Sequence, residues 1–242
     1  MTPKGAGRAI GVMFIAQMVA GFVVNFVWLA KVFDAPGFLV NAAANPSLMG
    51  LCALVGIAAG SLAVAIAITV FPVLRPYSRT WALWFFALAV AGFSAAVVEN
   101  INLMSLLSLS QAYAKASAVD QQLFQPLRGV VASARNWAHF VGLIVHGSAL
   151  LAFYSALYRF KLVPRVLAAC GVVAVLLQIT TVGMPLFGHE VIFPLLAPLG
   201  ICQLLLSLWL IVKGLSAAGP AESTGILSRA RGGAFATSVS PP

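Results

Sequence analysis

Residues 80–109 read TWALWFFALAVAGFSAAVVENINLMSLLSL, a run in which Glu99 carries the one charge. About 20 apolar residues in a helix cross a bilayer core about 30 Å thick, so this stretch is expected to span a membrane. An acid near the middle of such a helix costs about 2.5–3.5 kcal/mol on insertion scales. The folded protein must therefore offset the charge of Glu99, and the groups that do so mark the place to look for function.

The rest of the chain has the same character. Of 242 residues, 62% are hydrophobic and 8% are charged, where a soluble domain carries about 25% charged residues. Five further apolar segments are long enough to span, giving expected spans at 10–32, 49–73, 80–108, 136–158, 164–184 and 193–213. The fold class expected is all-α: a six-transmembrane-helix bundle over residues 10–214, preceded by a short N-terminus at 1–9. Residues 215–242 lack apolar periodicity and read as a disordered tail.

A net charge of +9 raises the question of nucleic acid, which the placement of the basic residues answers. Lys4, Arg8, Arg75, Arg79, Arg159, Lys161, Arg165, Lys213, Arg229 and Arg231 all fall in alternate connections on one side of the bundle. The other side holds Lys31, Lys115, Arg128 and Arg135, diluted over longer loops with Asp34, Asp120 and Glu190. Positive-inside reasoning then places both termini in the cytoplasm, as expected of a multi-pass protein of the cell's inner (cytoplasmic) membrane. No basic and aromatic surface remains for nucleic acid. The first apolar run, about 22 residues, exceeds the about 7–15 of a signal segment, so it is expected as a mature span although Ala42, Ala43 and Ala44 resemble a cleavage site. Cys52, Cys170 and Cys202 fall within spans and read as small buried apolar residues.

The connections RPYSR (75–79) and RFKLVPR (159–165) read as tight hairpins, with Pro164 suited to the first turn of the following helix. Tyr77, Trp81, Trp84, Tyr154 and Tyr158 lie at the same level and read as an interfacial belt. On the opposite side, 33–48 reads as a loop. From Pro126 the pattern turns helical, so the fourth helix is expected to project beyond the membrane before entering it near Trp137.

Helical rise converts position into depth. Glu99 lies about 27 Å from Trp81, close to the outer surface of the core; His139 sits about 3 Å below Trp137, and Asn25 is similarly shallow beneath Trp28. Asn25, Glu99 and His139 thus share a level, joined by Asn100 and Asn102 and by Gln178, Thr180 and Thr181. His146 follows two turns deeper on the face of His139. The expectation is a polar pocket opening to the outer face, with Glu99, His139, His146, Asn102 and Asn25 as ligand-binding residues and an ion pair of Glu99 with Arg135 or His139 as the structural alternative. Zinc ligation by His139, His189, Glu99 and Glu190 is chemically open, as is haem between His139 and His189, but the spacing selects neither. No cofactor and no protein partner is assigned; membrane lipid and a small apolar ligand are the partners expected.

The runs FPVLRPYSRTWALWFFALAVAGFSAAVVENINLMSLLSLS, LYRFKLVPRVLAACGV and PLGICQLLLSLWLIVKGL resemble a bacterial membrane family described as domain of unknown function 4386. Its pattern falls here on Arg75, Glu99, Pro164 with Arg165, and Trp209, Lys213 and Gly214, and the resemblance spans about residues 8–215. It implies a six-helix membrane protein and brings no activity; His139 and His146 have no place in the pattern.

Four functions compete for this site. The leading expectation is binding of a lipid, isoprenoid or quinone, with Glu99 at the polar end of the ligand. An intramembrane enzyme would use Glu99 as a catalytic general acid, in a cyclase, isomerase or lipid hydrolase. A proton-coupled transporter lacks ionisable groups in the inner half. An accessory or sensory subunit would use the polar cluster for packing alone.

Overall fold

The structure, a computed structural model, describes residues 2–216. The tail expected from 215 falls, from residue 217 onward, outside the described residues. Among those described there is no strand, and six helical segments are long and apolar enough to cross a membrane. Helix α1 (Pro3–Phe22) continues through a π-helical turn (Val23–Trp28) into α2 (Leu29–Phe33). Then follow α3 (Phe38–Ala44), α4 (Pro46–Leu74), α5 (Arg79–Lys115), α6 (Phe124–Arg159), α7 (Arg165–Gly183) and α8 (Ala197–Val212).

Local chemistry fixes where these helices begin. The Thr2 hydroxyl accepts the Gly5 N–H at 3.2 Å, and the Ser78 hydroxyl accepts the Trp81 N–H at 3.4 Å, each satisfying a donor that the first turn leaves free. Pro164 caps α7 from one residue outside the helix rather than occupying its first turn.

Each long helix packs on the next, α1 on α4, α4 on α5, and so through α6 and α7 to α8, which closes the ring against α1. The closure depends on glycine. A Cβ on Gly7 would stand 2.5 Å from the Leu215 nitrogen, and one on Gly11 would stand 2.6 Å from the Ser207 carbonyl oxygen. Gly214, at φ 76°, turns the chain after α8 and brings its own backbone to where a Cβ would meet Lys4 Cα at 2.8 Å. Small residues spaced by four let helix backbones approach in this way where lipid removes the hydrophobic incentive to pack. The packed chain runs past 214: Leu215 is buried, and the Ser216 N–H donates to the Leu162 carbonyl at 2.9 Å.

Three expectations need correction. The stretch 33–48 is no plain loop, because α3 forms within it and buries Phe38, Leu39 and Ala42. The Ser110 hydroxyl donates to the Leu39 carbonyl at 2.7 Å, and the Asn41 side-chain amide donates to the Asp34 carbonyl at 2.8 Å, so α3 is fastened both to α5 and to the end of α2. Tyr154 belongs to no interfacial belt: it is fully buried, with its ring against Gly171, whereas Trp84 and Tyr158 are exposed. Cys52 is buried, but Cys170 lies on the surface of the bundle.

Helices α5 and α6 have 37 and 36 residues, about 55 Å of helix each, so they extend well past a bilayer core. Tyr113 and Phe124 meet edge to face near their joined ends.

The apolar core comes in two parts. One, toward the end where α1 begins and α8 ends (the terminal face), contains Ile10, Phe14, Phe85, Phe153, Tyr154 and Leu210. The other, toward the opposite or far face, contains Val24, Leu29, Phe38, Met49, Cys52, Leu103 and Leu106. On α1, α4 and α5 the residues between these two sets line a cavity.

Candidate functional site

The cavity has a volume of about 290 Å³ and is walled by α1 with its π turn, by α4, α5 and α6, and by Gln203 of α8. It exists because its walls are made of small residues. Gly21 of α1, Gly56, Ala59, Gly60 and Ala63 of α4, Gly92 and Ala96 of α5, and Gly142 of α6 all line it. A Cβ on Gly21 would meet no atom within 4 Å, so this glycine faces open space.

Glu99 stands in the wall on α5, and its charge is met from α6. Arg135 Nη2 donates to Glu99 Oε1 at 3.0 Å, and His139 Nδ1 lies 2.9 Å from the same oxygen. Arg135 and His139 are one turn apart, the spacing that puts two side chains on one helical face. The side chains of Arg135 and Glu99 are only 12% and 23% exposed, so the pair sits largely out of solvent. The charges of Glu99 and Arg135 cancel, which is how an ionised side chain at this depth is tolerated. Because both donors use Oε1, Glu99 Oε2 has no protein donor among the described residues, and it is not among the atoms sealed from solvent.

Other polar groups line the same space. Asn25 sits in the π turn, where the Leu29 N–H reaches back five residues to the Val24 carbonyl; its side-chain amide donates to the Gly21 carbonyl at 3.0 Å. Such turns recur at functional positions in helices. Asn100 is buried against Gly56 and donates to the Ala96 carbonyl at 2.8 Å. Gln17 donates from Nε2 to the Ala59 carbonyl at 3.1 Å, while its Oε1 is buried without a partner among the described residues. His146 lines the cavity as well as a small void beside Phe14, Phe85 and Leu150, which Gln17 also lines.

Four of the five residues expected at the site, Glu99, His139, His146 and Asn25, line this cavity. Asn102 does not line it: its amide bonds back to the Val98 carbonyl at 3.0 Å, and Asn100, directly after Glu99, occupies the wall instead. Sequence reasoning passed over Gln17 and Gln203, although an amide within an apolar span was signal enough. Gln178 and Thr181 are buried away from the cavity. Gln178 donates to the Leu143 carbonyl at 3.4 Å, and the Thr181 hydroxyl accepts the Ile192 N–H at 2.8 Å, which ties down the loop after α7.

The donor set for a metal is not assembled. Among the described residues no three His, Cys, Asp or Glu side chains come together, and His189 and Glu190 are exposed. The zinc ligand set of His139, His189, Glu99 and Glu190 is therefore not brought together in this fold.

Among the described residues, six apolar helices packed in a closed ring, with a partly enclosed and largely apolar cavity between them, define a multi-pass membrane protein. The chain belongs to the family described as domain of unknown function (DUF4386), whose model matches residues 9–214. Comparison with curated proteins finds no match, and comparison with solved structures finds none.

Proposed function

We propose that this protein binds a small neutral amphipathic molecule of the membrane, a lipid, isoprenoid or quinone, in the cavity beside Glu99. The observation that carries the proposal is a cavity between two apolar cores whose polar atoms have bonding capacity left over. Glu99 Oε2 is an acceptor without a protein donor among the described residues and is accessible rather than sealed. A carboxylate oxygen left free and accessible in the wall of a largely apolar cavity offers a fixed acceptor to a donor on a bound molecule. Ligand sites of this type join apolar walls to a few placed polar groups.

The ligand is read as neutral because the site already balances its charges. Glu99 and Arg135 form the ion pair, and a net charge on the ligand would have to compete with one of them at low dielectric. A hydroxyl donating to Glu99 Oε2 fits this site, as a hydroxyl-bearing lipid, an isoprenoid alcohol or a quinone in its reduced, hydroxyl-bearing form would supply. A catalytic role for Glu99 would further require a proton on the one oxygen that its neighbours leave free, whereas binding requires no such step. In the orientation expected from the basic loops, the termini face the cytoplasm and the polar cluster lies in the outer half of the membrane.

Gly21→Leu tests this directly, since the added side chain enters open space. Lipid extracts of purified wild-type protein, analysed by liquid chromatography and mass spectrometry, are expected to contain a discrete species that is absent from folded Gly21→Leu. The same species in both extracts, or in neither, contradicts the proposal.

A further inference from the structure

Arg135 belongs to two spaces. Besides the cavity of Glu99 it lines a separate pocket of about 250 Å³, together with Arg128 and Asn136 of α6 and the rings of Phe33 and Phe38. No acid lines this pocket. Arg128 and Arg135 are seven residues apart, two turns along one face of α6. The Arg128 guanidinium lies over the Phe38 ring, 5.8 Å from its centroid, and among the described residues it forms no ion pair. That ring is held in place by α3, whose carbonyl at Leu39 accepts the Ser110 hydroxyl. Arg135 gives Nη2 to Glu99, but its Nε is buried and has no hydrogen-bond partner among the described residues.

The local charge count follows from these contacts. Of the two guanidinium groups that line the pocket, among the described residues only Arg135 is paired, with Glu99, so the lining has one positive charge in excess. An unpaired planar guanidinium held over an aromatic ring, with a second guanidinium and an amide in the same pocket wall, is the chemistry that recognises a planar or tetrahedral oxyanion. Trp137, 46% exposed, follows Asn136 directly, and tryptophans of this kind sit at the level of lipid headgroups. The apolar rings of Phe33 and Phe38 offer a wall for what is attached to the anion.

We propose that the Arg128, Arg135 and Asn136 pocket binds an oxyanion, the phosphate of an anionic lipid headgroup or a free phosphate. This does not rest on the cavity being a ligand site, and the two are tested by different variants. Arg135 is the shared wall, so occupation of one space bears on the other through the Glu99 contact.

The experiment is native mass spectrometry of delipidated protein in neutral detergent, titrated separately with phosphatidylglycerol, phosphatidylcholine and inorganic phosphate. Wild type is expected to retain phosphatidylglycerol at about tenfold lower concentration than phosphatidylcholine, which carries the same phosphate but brings an ammonium group toward the excess positive charge. Arg128→Gln removes most of that preference, Arg128→Lys keeps part of it, and Arg159→Gln, at the terminal end of α6, leaves it intact. A phosphate adduct that depends on Arg128, without lipid preference, assigns the site to the free anion. The proposal is overturned if wild type shows neither lipid preference nor phosphate adduct, or if Arg128→Gln behaves as wild type.

Discussion

Glu99 on α5 and Arg135 on α6 are 36 residues apart in sequence and joined at 3.0 Å in the fold. The contact explains how an acid survives in an apolar span, and it fixes the face that α5 turns toward α6. Breaking it from either side leaves a charge without its partner. For a fully buried pair that costs about 3–5 kcal/mol; here, with Glu99 in part exposed to the cavity, about 2–3 kcal/mol is expected. Glu99→Ala and Arg135→Ala should each destabilise the protein in denaturation measured in detergent. The double variant should lose clearly less than the sum of the two. Additive losses would mean that the pair contributes no coupling.

The ring of helices closes where Gly214 meets Lys4 and Gly7 meets Leu215. Gly214→Ala places a Cβ at a left-handed φ and against backbone, so a loss of about 2–4 kcal/mol is expected from strain and overpacking together. Gly21→Ala is the contrasting case: its Cβ meets open space, and the change should be neutral or stabilising by up to about 1 kcal/mol. Thermal unfolding of the two variants in the same detergent checks the contrast. Equal melting temperatures would show that the approach of α1 to the end of α8 is not needed for stability.

Asn100 and Asn102 separate cavity from packing. Asn100→Ala should reduce occupancy of the bound species, because Asn100 forms part of the wall opposite Gly56. Asn102→Ala should leave occupancy unchanged, since its amide serves only its own helix. Extracts of the two variants, quantified against wild type, decide the matter, and equal losses would move the site away from the Gly56 wall.

The orientation expected from the basic loops has its own test. In a background without native cysteines, Ser117→Cys should react with a membrane-impermeant maleimide on intact cells, and Ser78→Cys only after lysis. The reverse pattern would put the termini, and the opposite end of the bundle from Glu99, outside.

Most of the architecture was legible because bilayer thickness imposes helix length, and six apolar runs of that length leave little choice of fold class. Glu99 stood out for a related reason: a charge in such a run has to be compensated. Depth counted along the helices brought Asn25, Glu99 and His139 to one level, and the cavity contains all three. Depth alone does not give the angle around each helix, which is why Asn102 was chosen where Asn100 lines the wall. Interhelical closeness escaped for the same reason. Gly7 and Gly214 become neighbours only when the ring closes, and the helix at 38–44 is too short to show a convincing period. The sequence offers Arg135 only as an ion-pair partner for Glu99; its shared position between two spaces is a property of the packed bundle.

The most direct test of ligand binding beside Glu99 is native mass spectrometry of the protein released from native-lipid nanodiscs, wild type beside Glu99→Gln. A discrete extra mass is expected on wild type and not on folded Glu99→Gln. Bare protein in both samples, or the same extra mass in both, would contradict binding at Glu99.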